Sequence, residues 1–321
     1  MTRFQRVSPF AFLLSLLVLW LLERNAERHW LLALITYVPQ HWLLVPWLLL
    51  VYGATRKHNR QALAVHSISL GVIAFVFLGV NVPFRRLVAP PTAQGTRLRV
   101  VSYNVKLSKK STSAVAKAIE NLNADVVCAQ EVPWLPSENA AVAPLLRALP
   151  DWHAQHDGEL LTLSRTPILS SKVHRMGKSG AVSCQETVIN VRGNRIHFFN
   201  THIVYPGSPS RDIGAQIERS MPMRAAQTRG VIRAAQISSP SIIMGDFNTP
   251  PRGQIYAAFR THWRDTFRDA GWGSGNSFPV GLPLIRIDYV WTSRDFQAQR
   301  CFVANENASD HYPLVADLVL R

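Results

Sequence analysis

The sequence predicts an α/β (α+β) protein. Layered β-sheets with helices outside them occupy residues 97–321, preceded by N-terminal transmembrane helices. Three observations carry this reading. Three apolar stretches fill most of the first 86 residues. At Arg97 the pattern changes to short β-branched runs alternating with helical ones. Polar residues then fall at the ends of six of those runs. The expected organisation is a membrane anchor of two to three helices over 1–86, a linker over 87–96 and a soluble domain over 97–321. A chain of 321 residues is long enough for one large domain plus such an appendage.

The apolar stretches run over 9–22, 30–52 and 62–82. A helix needs about 20 apolar residues to cross the hydrocarbon core, which the second and third meet and the first does not. A cleaved signal peptide explains the first but not the two that follow. Neither the second nor the third shows a polar face, which argues against buried helices of a soluble protein. Trp20, Trp30, Trp42 and Trp47 suit interfacial positions. If all three span with the N-terminus inside, the cytoplasmic flanks hold five basic residues and the other side four, a weak bias. An odd number of spans in a cell inner membrane places the soluble domain outside the cytoplasm. The Ala89-Pro90-Pro91-Thr92 run makes the linker a stiff, extended tether.

The formal net charge is +15, shared between the loops flanking the apolar stretches and the soluble domain. A basic domain suits an anionic partner such as a phosphodiester, a phosphorylated metabolite or a lipid head group. The three cysteines, Cys128, Cys184 and Cys301, have no zinc spacing, and their odd number makes no disulfide framework.

In the soluble domain, strands are expected at 99–105, 126–130, 160–164, 182–191, 195–201, 241–245, 286–292, 296–303 and 314–319. Helices are expected at 111–122, 140–149 and 224–235. Many strands with interspersed helices argue for layered sheets. The segment 205–222, with Gly207, Pro209 and Arg211, reads as a long loop directly after His202.

Loops at strand ends present side chains to a common site. Here six strand ends carry such groups: Ser102-Tyr103-Asn104, Ala129-Gln130-Glu131, Asn200-Thr201-His202, Gly245-Asp246-Phe247-Asn248, Arg286-Ile287-Asp288-Tyr289 and Ser309-Asp310-His311. Each alone is an ordinary turn or cap. Together they supply carboxylates, amides and two imidazoles, a donor set of hard oxygens that suits Mg²⁺ or Mn²⁺ rather than zinc.

These motifs resemble the endonuclease/exonuclease/phosphatase superfamily, with its pancreatic-type DNases, abasic-site endonucleases, neutral sphingomyelinases and inositol polyphosphate 5-phosphatases. The most specific matches are Met244-Gly245-Asp246-Phe247-Asn248 and Ser309-Asp310-His311-Tyr312-Pro313-Leu314, with Arg286-Ile287-Asp288-Tyr289 as a third. The resemblance implies a four-layer α-β-β-α sandwich and a membrane-anchored, bacterial-type member that hydrolyses phosphate esters with Mg²⁺ or Mn²⁺. It implies that Glu131 and Asn104 hold the metal with Asp310 close by. Asp246 aligns or deprotonates the attacking water, and Asn248 holds phosphate and water. His311, oriented by Asp288, contacts the scissile phosphate, and His202 contacts a phosphate oxygen or helps the leaving group. Arg165, in a strand-and-turn common in the family, and Arg211 are expected to bind substrate.

Lys106 stands where abasic-site endonucleases carry an acidic residue, and His202 where they usually carry tyrosine. The first argues against a second metal position near Lys106, and the second favours the DNase, sphingomyelinase and phosphatase branches. Nucleic acid, a phospholipid head group and a small phosphate ester all stay open as substrate. The bilayer is the other expected partner, and nothing points to a protein partner. The competing reading is a catalytically inactive, membrane-anchored binding module of the same fold. A dead descendant has no reason to retain every one of these polar groups at buried strand ends, where unused charge is costly.

Overall fold

The computed structural model describes residues 3–84, 86, 94–107, 111–133, 142–176, 182–208 and 210–321. Among these, the chain forms two six-stranded sheets packed face to face. The first has the order β11-β12-β1-β2-β4-β3 and the second β5-β6-β7-β8-β10-β9. The strands are β1 (Thr96–Asn104), β2 (Val126–Gln130), β3 (His153–Asp157), β4 (Leu160–Ser164), β5 (Ile168–Arg175), β6 (Val182–Val191), β7 (Asn194–His202), β8 (Ser241–Asp246), β9 (Arg264–Asp265), β10 (Asp288–Thr292), β11 (Phe296–Val303) and β12 (Leu314–Leu320). Helices α5 (Thr112–Asn121) and α6 (Val142–Arg147) flank the first sheet. Helices α7 (Ile213–Gln236) and α8 (Gly253–His262) flank the second, and the short α9 (Thr266–Ala270) packs beside β10 and β11.

Strand alternation builds these layers. Val100, Val126 and Cys128 join Ile242, Met244 and Val290 in the core between the sheets. Their neighbours Val101, Val127 and Ala129 face the other way, onto Val115, Ile119 and Leu145 of α5 and α6. Ile243, Phe199 and Trp291 meet Val231 and Phe259 of α7 and α8. Central strands covered on both faces read as continuous apolar runs, which is why β2 and β4 match their expected bounds and β8 differs from its own by one residue.

The differences from expectation have physical causes. Strands β3 and β5, absent from the expected set, are edge strands rich in polar residues and mostly exposed or half-buried. The expected loop at 205–222 is helical from Ile213, so the helix expected at 224–235 is twice as long and runs through Pro222. Proline normally breaks a helix interior by removing an N–H. The strand expected at 286 begins at Asp288. Of the helix expected at 140–149, positions 140–141 lie outside the described residues, as does most of the expected linker, at 87–93.

The N-terminal region forms α1 (Arg3–Glu23), α2 (Trp30–Tyr37), α3 (Leu44–Arg56) and α4 (Arg60–Val72), the last continuing to Phe77. Arg60–Phe77 is long and apolar enough to cross a bilayer; the segments Trp30–Tyr37 and Gln40–Arg56 meet at 81° and count as a second candidate only if taken as one bent span. The apolar part of α1, Val7–Glu23, is shorter. Among the described residues, one or two helices pass by length and composition, where the sequence suggested two to three.

A buried ion pair fixes the entry to β10. Arg286 donates to Asp265 at 3.0 and 2.7 Å, and Asp265 also accepts from the Tyr256 hydroxyl at 2.7 Å. Both charges are almost fully buried. Removing one partner strands the other, at a cost of about 3–5 kcal/mol. Arg286→Met is therefore expected to lower unfolding stability by about that amount, measured by denaturant titration of the full chain. A change under about 1 kcal/mol would show the pair to be dispensable.

Candidate active site

Parallel pairing decides where the polar groups meet. β1 and β2 run parallel at the centre of one sheet, β7 and β8 at the centre of the other. Their carboxyl ends carry Asn104, Glu131, His202 and Asp246. β10 is antiparallel to β8 and β12 antiparallel to β1, so Asp288 at the start of β10 and His311 just before β12 arrive at the same rim. Register places Asp246 opposite both His202 and Asp288. One residue earlier, Gly245 pairs with Thr201. It has φ +157°, and a Cβ there would lie 1.7 Å from the Thr201 carbonyl oxygen, so only glycine lets β7 and β8 close at this point.

Asp246 is the hub. Its Oδ2 lies 3.7 Å from Nε2 of both His202 and His311 and accepts from Asn104 Nδ2 at 3.1 Å. Its Oδ1 accepts from the Asn248 backbone N–H at 2.8 Å. Asn104 also donates to Glu131 at 2.7 Å. The Asn248 amide lies 3.2 Å from His202 Nε2 and donates to the Ile203 carbonyl at 3.0 Å. Each histidine is backed by a second carboxylate: His311 Nδ1 is 3.0 Å from Asp288 Oδ2, and His202 Nδ1 is 3.1 Å from Glu159 Oε1. Asp288 in turn accepts from the Ser277 hydroxyl at 2.5 Å, and the Phe278 ring packs against the His311 imidazole.

These contacts set the charges. Burial disfavours charged His311, but the Asp288 and Asp246 carboxylates outweigh it and raise its pKa to about 9. Burial likewise opposes charged His202, and Glu159, with Asp246 and Glu131, brings it to about 9. Burial raises Asp246 above the usual carboxylate range; the His311 charge works against this and the Asp288 carboxylate adds to it. The rim is thus a crowd of buried carboxylates facing two imidazoles.

Glu131, His202 and Asp246 offer donor atoms within 4.8 Å of one another. Glu131 and Asn248 both adopt left-handed backbone conformations, at φ 55° and 47°. For glutamate this is strained backbone, of the kind found at functional sites. The two carboxylates beside the Asn104 amide oxygen fit a hard divalent cation, while charged His202 stands next to them as a partner for anionic substrate.

Not every expected residue joins the cluster. Asp310 is half-buried and paired with the Lys106 ammonium, which keeps its carboxyl below the usual range against the effect of burial. It stands outside the grouping of Glu131, His202 and Asp246. Arg165 sits at the opposite end of the sheet, where its N–H bonds the Asp125 carbonyl at the start of β2. Its guanidinium pairs with Glu120 at 2.5 Å and stacks over Trp152 at 4.1 Å. That position makes it part of the α5 packing rather than the rim. Arg211 is exposed in the turn before α7, outside the cluster. Glu159 and Ser277 are the rim residues that sequence reasoning missed. Glu159 precedes β4 in a Gly-Glu turn and Ser277 lies in a loop, and neither carries a pattern that separates it from ordinary turn residues.

With this geometry in place, the wider relationships are unambiguous. Residues 101–311 match the profile of the Endonuclease/Exonuclease/phosphatase family, and the chain belongs to that family. No curated protein matches the chain by sequence. Among solved structures, an endonuclease/exonuclease/phosphatase from Beutenbergia cavernae DSM 12333 is similar at 22% identity and TM-score 0.55, covering 70% of this chain and 72% of its own. A mannosyl-6-phosphatase from Bacteroides thetaiotaomicron VPI-5482 is similar at 18% identity and TM-score 0.53, covering 70% of this chain and 100% of its own. A 3′ phosphatase from Neisseria, bound to product DNA hairpin, is similar at 17% identity and TM-score 0.52, covering 68% and 98%. At these identities the likeness shows a shared fold.

Proposed function

We propose that the protein is a membrane-tethered phosphoesterase that hydrolyses a phosphodiester or phosphomonoester with Mg²⁺ or Mn²⁺. The observation that carries this is the convergence of Asn104, Glu131, His202, Asp246, Asn248, Asp288 and His311 on one rim of the two sheets, linked through Asp246. Family membership and two phosphatases among the structural neighbours support the same chemistry.

Glu131 and Asn104 hold the cation on this reading. When bound, it supplies Lewis-acid neutralisation of phosphate charge. Asp246 accepts the proton of the attacking water, and Asn248 donates to a phosphate oxygen. Charged His311, held by Asp288, and charged His202, held by Glu159, balance the negative charge that builds on the phosphate in the transition state.

The test is turnover by the full chain in detergent with Mg²⁺. The panel is bis(p-nitrophenyl) phosphate, single- and double-stranded DNA, sphingomyelin and an inositol phosphate. Hydrolysis of at least one, lost in Asp246→Asn, is the expected result. Binding without turnover across the panel would support the inactive-module reading instead.

The tether rests on exposed apolar side chains. Leu14 and Leu17 on α1, Leu48, Leu49 and Tyr52 on α3, and Ile68 and Phe75 on the α4 segment all face outward, as lipid-facing residues do. An odd number of crossings in an inner membrane, starting inside, would put residues 97–321 outside the cytoplasm. A C-terminal alkaline-phosphatase fusion is then expected to be active and a fluorescent-protein fusion dark. The reverse pattern would place the domain in the cytoplasm.

A further inference from the structure

The N-terminal helices do more than stand next to the sandwich. Three of their side chains, Tyr37, Glu23 and Glu27, and two of their backbone carbonyls reach the segment that follows Asn248, directly or through Arg224. Arg224, on α7 and 1% exposed, donates to the Tyr37 hydroxyl at 2.8 Å. The same guanidinium donates to the Asn248 carbonyl at 3.1 Å, to Thr249 Oγ1 at 2.6 Å and to the Val204 carbonyl. One buried cation therefore ties α2 to both strand ends that carry the rim, two residues beyond His202 and at Asn248 itself.

Further along the segment, Arg252 donates to the Thr36 carbonyl at 2.8 Å and the Phe77 carbonyl at 2.6 Å, and lies 3.4 Å from Glu23. Glu27 then accepts from the Gln254 N–H at 2.7 Å. That contact serves the first turn of α8, whose own N-cap position, Arg252, supplies no side-chain acceptor. A carboxylate there also complements the helix dipole. Gly253 has φ +78°, and a Cβ on it would lie 2.7 Å from the Glu27 carboxylate, so the turn is shaped around that residue.

We propose that Tyr37 and Glu27 are positioning residues for Asn248. Through Arg224 and the first turn of α8, the N-terminal segment fixes the 248–254 segment in the conformation that aims the Asn248 amide into the rim. Asn248 needs such support, because its backbone is left-handed at φ 47° and its carbonyl is satisfied by Arg224. The region 97–321 is then incomplete without residues 23–37, and the state of the N-terminal helices reaches the rim through two side chains. This rests on Asn248 holding phosphate as proposed above.

The experiment compares the full chain with Tyr37→Phe and Glu27→Ala in detergent, with Leu48→Ala, exposed on α3, as control. Two readouts are taken: hydrolysis of bis(p-nitrophenyl) phosphate with Mg²⁺, and amide hydrogen exchange. Tyr37→Phe is expected to lower kcat about tenfold with KM changed less than about twofold, because a misdirected positioning group acts on the transition state. Amides over 247–256 are expected to exchange faster in both variants, while those of β1 and β12 keep their protection. Arg224→Lys is expected to behave like Tyr37→Phe, since an ammonium cannot serve all four acceptors in this plane. Exchange over 247–256 unchanged in both variants would overturn the proposal. So would a loss of protection spread equally across β1 and β12, which marks general destabilisation. The exchange readout stands even if the wild type turns over no substrate, an outcome that would sink the phosphoesterase reading by itself.

Discussion

Turnover is expected to fall by about 10²-fold or more in His311→Ala, with little change in thermal stability. The geometry gives the reason. His311 Nδ1 is held 3.0 Å from Asp288 Oδ2, a carboxylate that also accepts from Ser277. That contact fixes the ring, so Nε2 faces the rim and lies 3.7 Å from Asp246. Asp288 and Asp246 together raise the imidazole to about 9, so at neutral pH the group facing a phosphate is a cation. The three side chains work as a unit, and units are not additive. The double substitution Asp288→Asn with His311→Ala is expected to cost little more than His311→Ala alone. The pH dependence has a definite sign. A pKa raised above the ordinary imidazole value of 6.5 means the charged form is complete below about 6.5 and is lost as pH rises through about 9. The wild-type rate should therefore fall along an alkaline limb near pH 9. Asp288→Asn should move that limb to lower pH, because Asp288 is the main group holding the proton. Near-normal turnover in His311→Ala, or multiplicative losses in the double mutant, would refute the unit.

Much of this was legible in the sequence, for a physical reason. The central strands are buried on both faces, so 126–130 and 160–164 announce themselves as apolar runs, and six such runs ending in polar groups are more than a set of ordinary turns. That is how Glu131, Asp246 and Asp288 stood out. Edge strands have water on one side, and β3 and β5 lack the signal accordingly. Glu159 and Ser277 act through partners brought from distant parts of the chain, His202 and Asp288, and a turn sequence holds no trace of that. Arg165 shows the opposite error. Its motif, common in the family, points to a ligand site, whereas the fold puts the guanidinium on Trp152 and Glu120 at the far end of the sheet. The loop expected at 205–222 is helical from Ile213 because α7 packs along its length, with Ile217, Arg224, Thr228, Val231 and Ala235 buried, and tertiary contacts outweigh a local preference. The link from Tyr37 to Asn248 was the least visible of all. It joins an apolar stretch that reads only as membrane anchor to a rim more than two hundred residues away in sequence.

Activity is expected to vanish in excess chelator and to return with Mg²⁺ or Mn²⁺ but not with zinc alone. Every donor the rim offers except His202 and His311 is an oxygen or amide group, and the three cysteines are buried in the apolar cores, so no thiolate is at hand for a softer metal. Without a cation, Glu131 and Asp246 share the Asn104 amide, and burial pushes Asp246 above the usual carboxylate range. A divalent ion relieves that crowding. It should therefore stabilise the folded chain as well as activate it, by RT ln(1 + [M]/Kd), or about 2.7 kcal/mol at a hundredfold excess over Kd. This gives a readout independent of substrate: Tm should rise with Mg²⁺ in the wild type and stay flat in Glu131→Gln, which keeps the shape of the side chain but removes its charge. Glu131→Gln without metal should be at least as stable as the wild type without metal, because the uncompensated carboxylate is gone while the amide still fits beside Asn104. Full activity in excess chelator would exclude metal dependence. An equal Mg²⁺-induced rise in Tm in Glu131→Gln would instead move the cation away from Glu131, to the second grouping of Asp246, Asp288 and His311.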